Sequence, residues 1–152
     1  MRLNSFDALN AFAKQLERNI GGDGFHTKVV VTPSSVNEKG VVIKVSLLKT
    51  FIQAVPMSAR SSRTLRVRVS VAGTAESMTG LKQALEAVEA IDRYMLSPDL
   101  RLETGDGTRI PNSRIIQSVS GEDSFIDSPD SISVQYVQDD RIVIITIPEG
   151  GD

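Results

Sequence analysis

The stretch TLRVRVSV, at positions 64–71, decides the fold of this chain. Its side chains alternate: Leu65, Val67, Val69 and Val71 lie on one side, and Thr64, Arg66, Arg68 and Ser70 on the other. That period is typical of a β-strand with one buried and one solvated face. The rest of the chain must therefore supply partner strands and a layer that covers the apolar face.

Several β-rich runs could partner this strand. Residues 26–31 are rich in β-branched side chains and predict a short strand. Residues 40–56 predict a long one, in which Val41, Ile43, Val45, Leu47, Phe51 and Val55 share a face. The last three would also align on a helix, and we favour the strand. The small, basic residues 57–63 predict a loop that joins two arms of a hairpin.

The C-terminal half predicts further strands. Residues 100–102 read as a short strand that enters a turn at 105–107, and residues 114–120 as another strand. Residues 131–138 and 141–147 predict a closing hairpin around Asp139 and Asp140, although no glycine supports that turn. The intervening residues 121–130 predict a loop, and residues 148–152 a frayed tail.

Two segments carry apolar residues at helical spacing. These residues are Phe6, Leu9, Phe12, Ala13, Leu16 and Ile20 in the first segment, and Leu81, Ala84, Leu85, Val88, Ile91, Tyr94 and Met95 in the second. Asn4 or Ser5 can cap the first helix and Thr79 the second. The predicted fold class is α+β, a mainly antiparallel sheet with two principal amphipathic helices packed on one face, in a single domain of residues 1–152.

The composition is that of a folded, soluble protein. The 152 residues are 40% apolar and 24% charged, and no run approaches the ~20 apolar residues of a membrane span. The N-terminus lacks the apolar stretch of a signal peptide, which predicts assembly in the cytoplasm and no membrane partner. A net charge of −2 argues against strong nonspecific binding to DNA.

Few residues are suited to catalysis. His26 is the only histidine and cysteine is absent, so zinc sites and Ser-His-Asp arrangements are disfavoured, and we expect no metal and no cofactor. The glycines at 21–24 follow a predicted helix, whereas phosphate-binding loops precede one. Asp106 lacks the alternating oxygen ligands of a calcium loop and predicts a turn.

An acidic segment, residues 121–130, contains Glu122, Asp123, Asp127 and Asp130. Paired carboxylates can perform acid–base catalysis, but these lie among Ser, Gly and Pro, where little burial would raise a pKa. We favour a solvated or partner-facing loop and expect no enzyme, with a carboxylate-based enzyme or a ligand-binding domain as the less favoured alternative.

A basic cluster comprises Arg60, Arg63, Arg66 and Arg68. No aromatic residue lies between 59 and 71 to stack on bases, so sequence-specific nucleic-acid binding is not predicted. The cluster is either an exposed sheet face that discourages edge aggregation or a contact with another subunit. In the second case it could pair with the acidic segment of a neighbour, since a ring needs two different patches on each subunit.

The order of elements resembles that of the tail terminator, or tail-completion, proteins of long-tailed bacteriophages. The resemblance rests on the N-terminal helix, the long strand pair, a strand that ends in VSVAG at 69–73, the helix at 81–95 and a β-rich C-terminal half. It implies a subunit of a hexameric ring on the head-proximal end of the tail tube, which stops tube polymerisation. The implied partners are further copies of the chain, the tail tube protein and a head-completion or connector protein, and the implied location is the virion tail.

Other roles share this fold class. A head–tail connector subunit would also form a ring. A secretion-system or chaperone-like adaptor is a further alternative.

Overall fold

The computed structural model of the chain describes residues 3–20, 28–31, 41–54, 60–74, 78–118 and 136–149. In chain order the elements are α1 (Ser5–Ile20), β1 (Lys28–Val31), β2 (Val41–Ala54), β3 (Ser61–Thr74), α2 (Met78–Met95), β4 (Arg114–Gln117) and β5 (Tyr136–Glu149). This confirms the predicted α+β class. That residues 1–152 form a single domain stays a prediction.

The strands form one five-stranded sheet in the order β1-β2-β3-β5-β4. β1 is parallel to β2, and every other neighbouring pair is antiparallel. β2, β3 and β5 are each 14 residues long and make up the middle of the sheet. The sheet is therefore mainly antiparallel, as predicted, with β3 at its centre.

Both helices contribute to one core on the same face of the sheet. The alternating residues of β3, Leu65, Val67 and Val69, are fully buried there. Phe12 and Leu16 of α1 and Ile91 of α2 join the same cluster, together with Val45, Val143 and Ile145 of the flanking strands. Burying each side chain of this size contributes about 2 kcal/mol, so the core stabilises the packing of helices on the sheet.

The predicted helices are confirmed, with corrections at individual positions. Asn4 caps α1, because its Oδ1 accepts a hydrogen bond of 2.7 Å from the backbone N–H of Asp7. Phe6, predicted to be in the core, is 66% exposed, since it lies on the first turn of the helix. α2 already begins at Met78, so Thr79 lies inside the helix and is not its cap. Leu85 is 48% exposed because the buried stripe of α2 runs through Ala84, Ala87, Val88 and Ile91.

A β-bulge divides β2. The pairing with β3 shifts between Leu47, which lies opposite Val67, and Lys49, which lies opposite Arg66. The strand reading of this region is confirmed and the helical alternative for residues 47–54 is wrong. Leu47 and Phe51 do not share a face, however, because the extra residue reverses the facing of everything beyond it.

β5 is one continuous strand where a hairpin was predicted. Asp139 and Asp140 lie within it, opposite Val71 and Ser70 of β3. The prediction was wrong because β3 is long enough to pair with β5 on both sides of the two aspartates, so no turn is needed. The same pairing places Pro148 and Glu149 in the sheet instead of a frayed tail, and Ser61 to Arg63 in β3 instead of a loop.

The segment between α2 and β4 is held by turns and by a buried amide. Residues 100–102 are not a strand; an isolated bridge joins Glu103 to Arg109. Asp106 forms the predicted turn, where its carboxylate accepts hydrogen bonds from the Thr104 hydroxyl and the Thr108 N–H. These bonds hold the pKa of Asp106 below its usual value, Thr104 having the largest effect.

Gln15 of α1 is fully buried beside this segment. Its Nε2 donates to the Tyr94 hydroxyl and to the carbonyl oxygen of Arg101, each at 2.8 Å. Its Oε1 accepts from the backbone N–H of Glu103, also at 2.8 Å. One side chain thus joins α1, α2 and the segment that leads to β4. Burial raises the pKa of Tyr94.

Some predictions fall outside the described residues. His26, the glycines at 21–24 and the acidic segment lie there. Of the described helices, neither is long and apolar enough to cross a membrane.

Candidate interaction surfaces

The side of the sheet opposite the two helices is covered by no described helix, and we call it the open face. Its side chains follow from the strand pairing. They include Lys49, Phe51, Arg66, Arg68, Arg114, Ile116, Ile142 and Ile144. One row across the sheet runs Lys49, Arg66, Ile144 and Ile116, so that two cations stand beside two isoleucines.

The open face is basic. Lys49 and Arg66 lie directly opposite each other on β2 and β3, and both are exposed. Like charges in such a pair repel. Arg114, on β4, is exposed at the same face, and the one described carboxylate there is Asp140, which lies 3.8 Å from Arg68. Within the described ranges, Arg66 and Arg114 form no ion pair. The open face thus carries unneutralised positive charge.

The structure separates the arginines of the predicted basic cluster. Arg66 and Arg68 lie on the open face, whereas Arg63 has the facing of Leu65 and points to the helix side. There it donates to the carbonyl oxygen of Leu3 at 3.1 Å and forms an ion pair with Glu149. Arg60 precedes β3 and is exposed.

Lys49 and Arg114 are basic residues of the open face that sequence reasoning missed. Lys49 reaches it only because of the bulge in β2, and Arg114 only because β4 pairs with β5. A strict alternation count gives Lys49 the facing of the core residues Ile43 and Val45. No signal within β2 itself places the bulge.

Exposed apolar side chains lie in two further places. Phe6, on the first turn of α1, is 66% exposed, and Ile52, beyond the bulge of β2, is 59% exposed. An open groove of about 660 Å³ lies between the end of α2 and β4, where Leu96 and Ile116 are among its lining residues. In both places the exposed side chains lie outside the described core.

The described residues contain no cluster of acidic or histidine side chains suited to a metal ion. Among the described carboxylates that line the groove, Asp92 forms an ion pair with Arg141 that lowers its pKa. It accepts hydrogen bonds from Arg141 and Gln117, and the bond from Arg141, together with its charge, holds the pKa of Asp92 below its ordinary value against the effect of burial. An ionised, paired carboxylate is suited to fixing α2 on the sheet and not to acting as a general acid.

Comparison with known proteins gives a likeness of fold. No protein-family model matches the sequence, and no curated protein matches it. Among solved structures, the fold is similar to that of a chain in a structure described as the virion of a native gene transfer agent (GTA) particle. The TM-score is 0.52 at 12% identity, and the match covers 97% of this chain and 100% of that chain. At such identity the likeness is one of fold.

Proposed function

We propose that this chain is a structural subunit of a phage-like particle, and that it assembles into a ring, a hexamer, on the head-proximal end of a tail tube. The ring stops polymerisation of the tube and presents a surface to a head-completion or connector protein. This role requires no catalysis and no cofactor.

The fold likeness supports the proposal. The match to a chain of a gene transfer agent virion spans nearly the whole length of both chains, so it involves the complete arrangement of helices and sheet and not one shared motif. The order of elements independently resembles that of tail terminator proteins.

The observation that carries the proposal is the open face. A sheet face that no described helix covers, and that bears isoleucines among unneutralised cations, is typical of a surface that other subunits cover. The exposed Phe6 and Ile52 lie on the helix side of the molecule, away from the open face. A ring subunit that also binds a tube or a connector needs a second surface away from its ring contact, and the helix side offers one.

The decisive experiment combines solution mass with imaging. The purified full chain is measured by multi-angle light scattering, alone and with tail tubes from the native particle, and the mixture is imaged by negative-stain electron microscopy. We expect the chain to form rings, either free in solution or only on the tubes. In the mixture each tube should carry a ring at one end and should no longer elongate.

A chain that neither forms rings nor binds tubes would contradict the proposal. Rings that bind isolated heads but never tubes would favour a connector subunit instead.

A further inference from the structure

We propose that the open face is the docking site for the acidic segment, residues 121–130, of a neighbouring copy of the chain. This inference deepens the proposed ring and rests on it. It names the two surfaces that meet between adjacent subunits.

Charge complementarity is the first argument. The open face presents Lys49, Arg66 and Arg114, and the described residues hold no carboxylate near the opposed pair Lys49 and Arg66. The acidic segment supplies Glu122, Asp123, Asp127 and Asp130 without any basic residue. A carboxylate between Lys49 and Arg66 would convert a repulsive pair into two attractive ones.

Apolar complementarity is the second argument. Phe125 and Ile126 lie in the middle of the acidic segment, with Asp123 before them and Asp127 after them. On the open face, Ile116 is 52% exposed and neighbours the half-buried Ile144. Cations flank these isoleucines on β3 and β4. An acidic–apolar–acidic segment therefore matches a basic–apolar–basic surface in both charge and hydrophobicity.

The same isoleucines argue against nucleic acid as the occupant. Nucleic-acid surfaces interleave their cations with several stacking aromatic rings, whereas the side chains beside Arg66 and Arg68 on β5 are the aliphatic Ile144 and Ile142. Phe51 is an aromatic side chain of the open face. Its ring lies 5.5 Å from Lys49 Nζ in a cation–π contact. The chain as a whole also carries a net charge of −2.

The binding test uses a fluorescent synthetic peptide of residues 120–131 and the full chain. We expect the peptide to bind the wild-type chain, and to bind the Lys49→Glu/Arg66→Glu variant at least ~10-fold more weakly, because interfacial charge reversal opposes docking. A variant with Lys14→Glu/Lys82→Glu has the same net charge but changes exposed residues on the helices, and should bind like wild type. A peptide with scrambled sequence should bind weakly to all three.

The assembly test distinguishes docking between copies from docking within one. The face variant, Lys49→Glu/Arg66→Glu, is mixed with a segment variant, Asp123→Lys/Asp127→Lys. Within either variant alone, the open face and the acidic segment carry charges of the same sign and repel. In a contact between the two variants, the face and the segment carry opposite charges. We expect neither variant to assemble alone and the mixture to form rings in which the variants alternate.

Several results would overturn the proposal: equal peptide binding by the wild-type and face variants, or a mixture that does not assemble. If assembly is rescued only when all four substitutions are in one chain, the contact lies within a single copy and the proposal is overturned. Tighter binding of duplex DNA than of the peptide to the open face would also overturn it. If the face variant still forms rings as wild type does, the docking proposal is refuted while the proposed ring stands. If the peptide binds through the open face but the chain never forms rings on tubes, the ring proposal is refuted and the docking proposal stands.

Discussion

Asp92 of α2 and Arg141 of β5 form a two-bonded ion pair, with Nε to Oδ1 at 2.8 Å and Nη2 to Oδ2 at 3.1 Å. Arg141 has the facing of the buried Val143, so the pair joins the helix layer to the sheet beside the core. It fixes α2 against β5 at the edge of the groove.

Asp92→Asn should make the stability of the fold less dependent on acid. The pKa of Asp92 in the folded chain lies below its ordinary value of 3.8. The pair therefore contributes its full stability above that value and loses it as the pH falls further and Asp92 is protonated. We expect a loss of about 1 kcal/mol at pH 7, since the pair is partly exposed. The difference should begin to shrink as the pH falls below 3.8 and should vanish only below the lowered pKa of Asp92 in the folded chain.

Urea unfolding of both proteins across acidic pH measures this effect. Glu89→Gln is the control, because Glu89 pairs with Arg93 on the same helix at an exposed site and should cost only about 0.3 kcal/mol. A difference between Asp92→Asn and wild type that stays constant down to low pH would contradict the assignment.

Gln15→Leu should destabilise the fold by about 2–4 kcal/mol, although leucine suits a helix core. The substitution leaves the Glu103 N–H and the Arg101 carbonyl without their side-chain partner in a buried place. Thermal or denaturant unfolding measures the loss. Glu17→Leu, at an exposed position of the same helix, should change stability by no more than about 0.5 kcal/mol.

Lys49→Gln and Arg66→Gln should reveal the repulsion across the open face. In a double-mutant cycle on the monomer, at a concentration where no ring forms, we expect a repulsive coupling of about 0.3–0.5 kcal/mol. The coupling should decrease as salt is added. An attractive coupling, or one insensitive to salt, would show that the two side chains do not face each other.

Glu149→Gln should loosen the start of α1. Glu149 holds Arg63, and Arg63 donates to the Leu3 carbonyl just before the helix. We expect a loss of about 1–2 kcal/mol and faster hydrogen exchange in the first turn of α1. The effect on ring assembly should be much smaller than that of Arg66→Glu, because Arg63 and Glu149 lie away from the open face. Exchange unchanged in that turn would argue against this link.

The sequence predicts the layers of this fold well because they depend on local periodicity. The alternation of residues 64–71 and the helical spacing in α1 and α2 are strong, and a core of one sheet face and two helices follows from them. The central position of β3 was not predicted, because alternation indicates a half-buried strand and says nothing about its place in the sheet. The confirmed fold class rests on these elements.

The errors arose where pairing between distant strands overrides local signals. Asp139 and Asp140 look like a turn in isolation, but β3 pairs with β5 on both sides of them. The basic cluster was grouped by nearness in sequence, whereas Arg63 and Arg66 lie on opposite faces and Lys49 joins Arg66 from another strand. Gln15 went unnoticed because a polar residue on a helix gives no sign of burial unless its distant partners are known.

The bulge after Leu47 has a further consequence, for how β2 tolerates change. Before it, odd-numbered positions such as Ile43 and Val45 face the helices; after it, even-numbered positions such as Ile52 do. A mutational scan along the strand should therefore invert its pattern at residue 48. Deletion of that single residue would remove the bulge without changing the facing of the remainder of the strand, because Lys49 would then follow Leu47 directly and stay opposite Arg66. The strand should therefore tolerate loss of residue 48 better than loss of any neighbouring residue, which would reverse the facing of one arm.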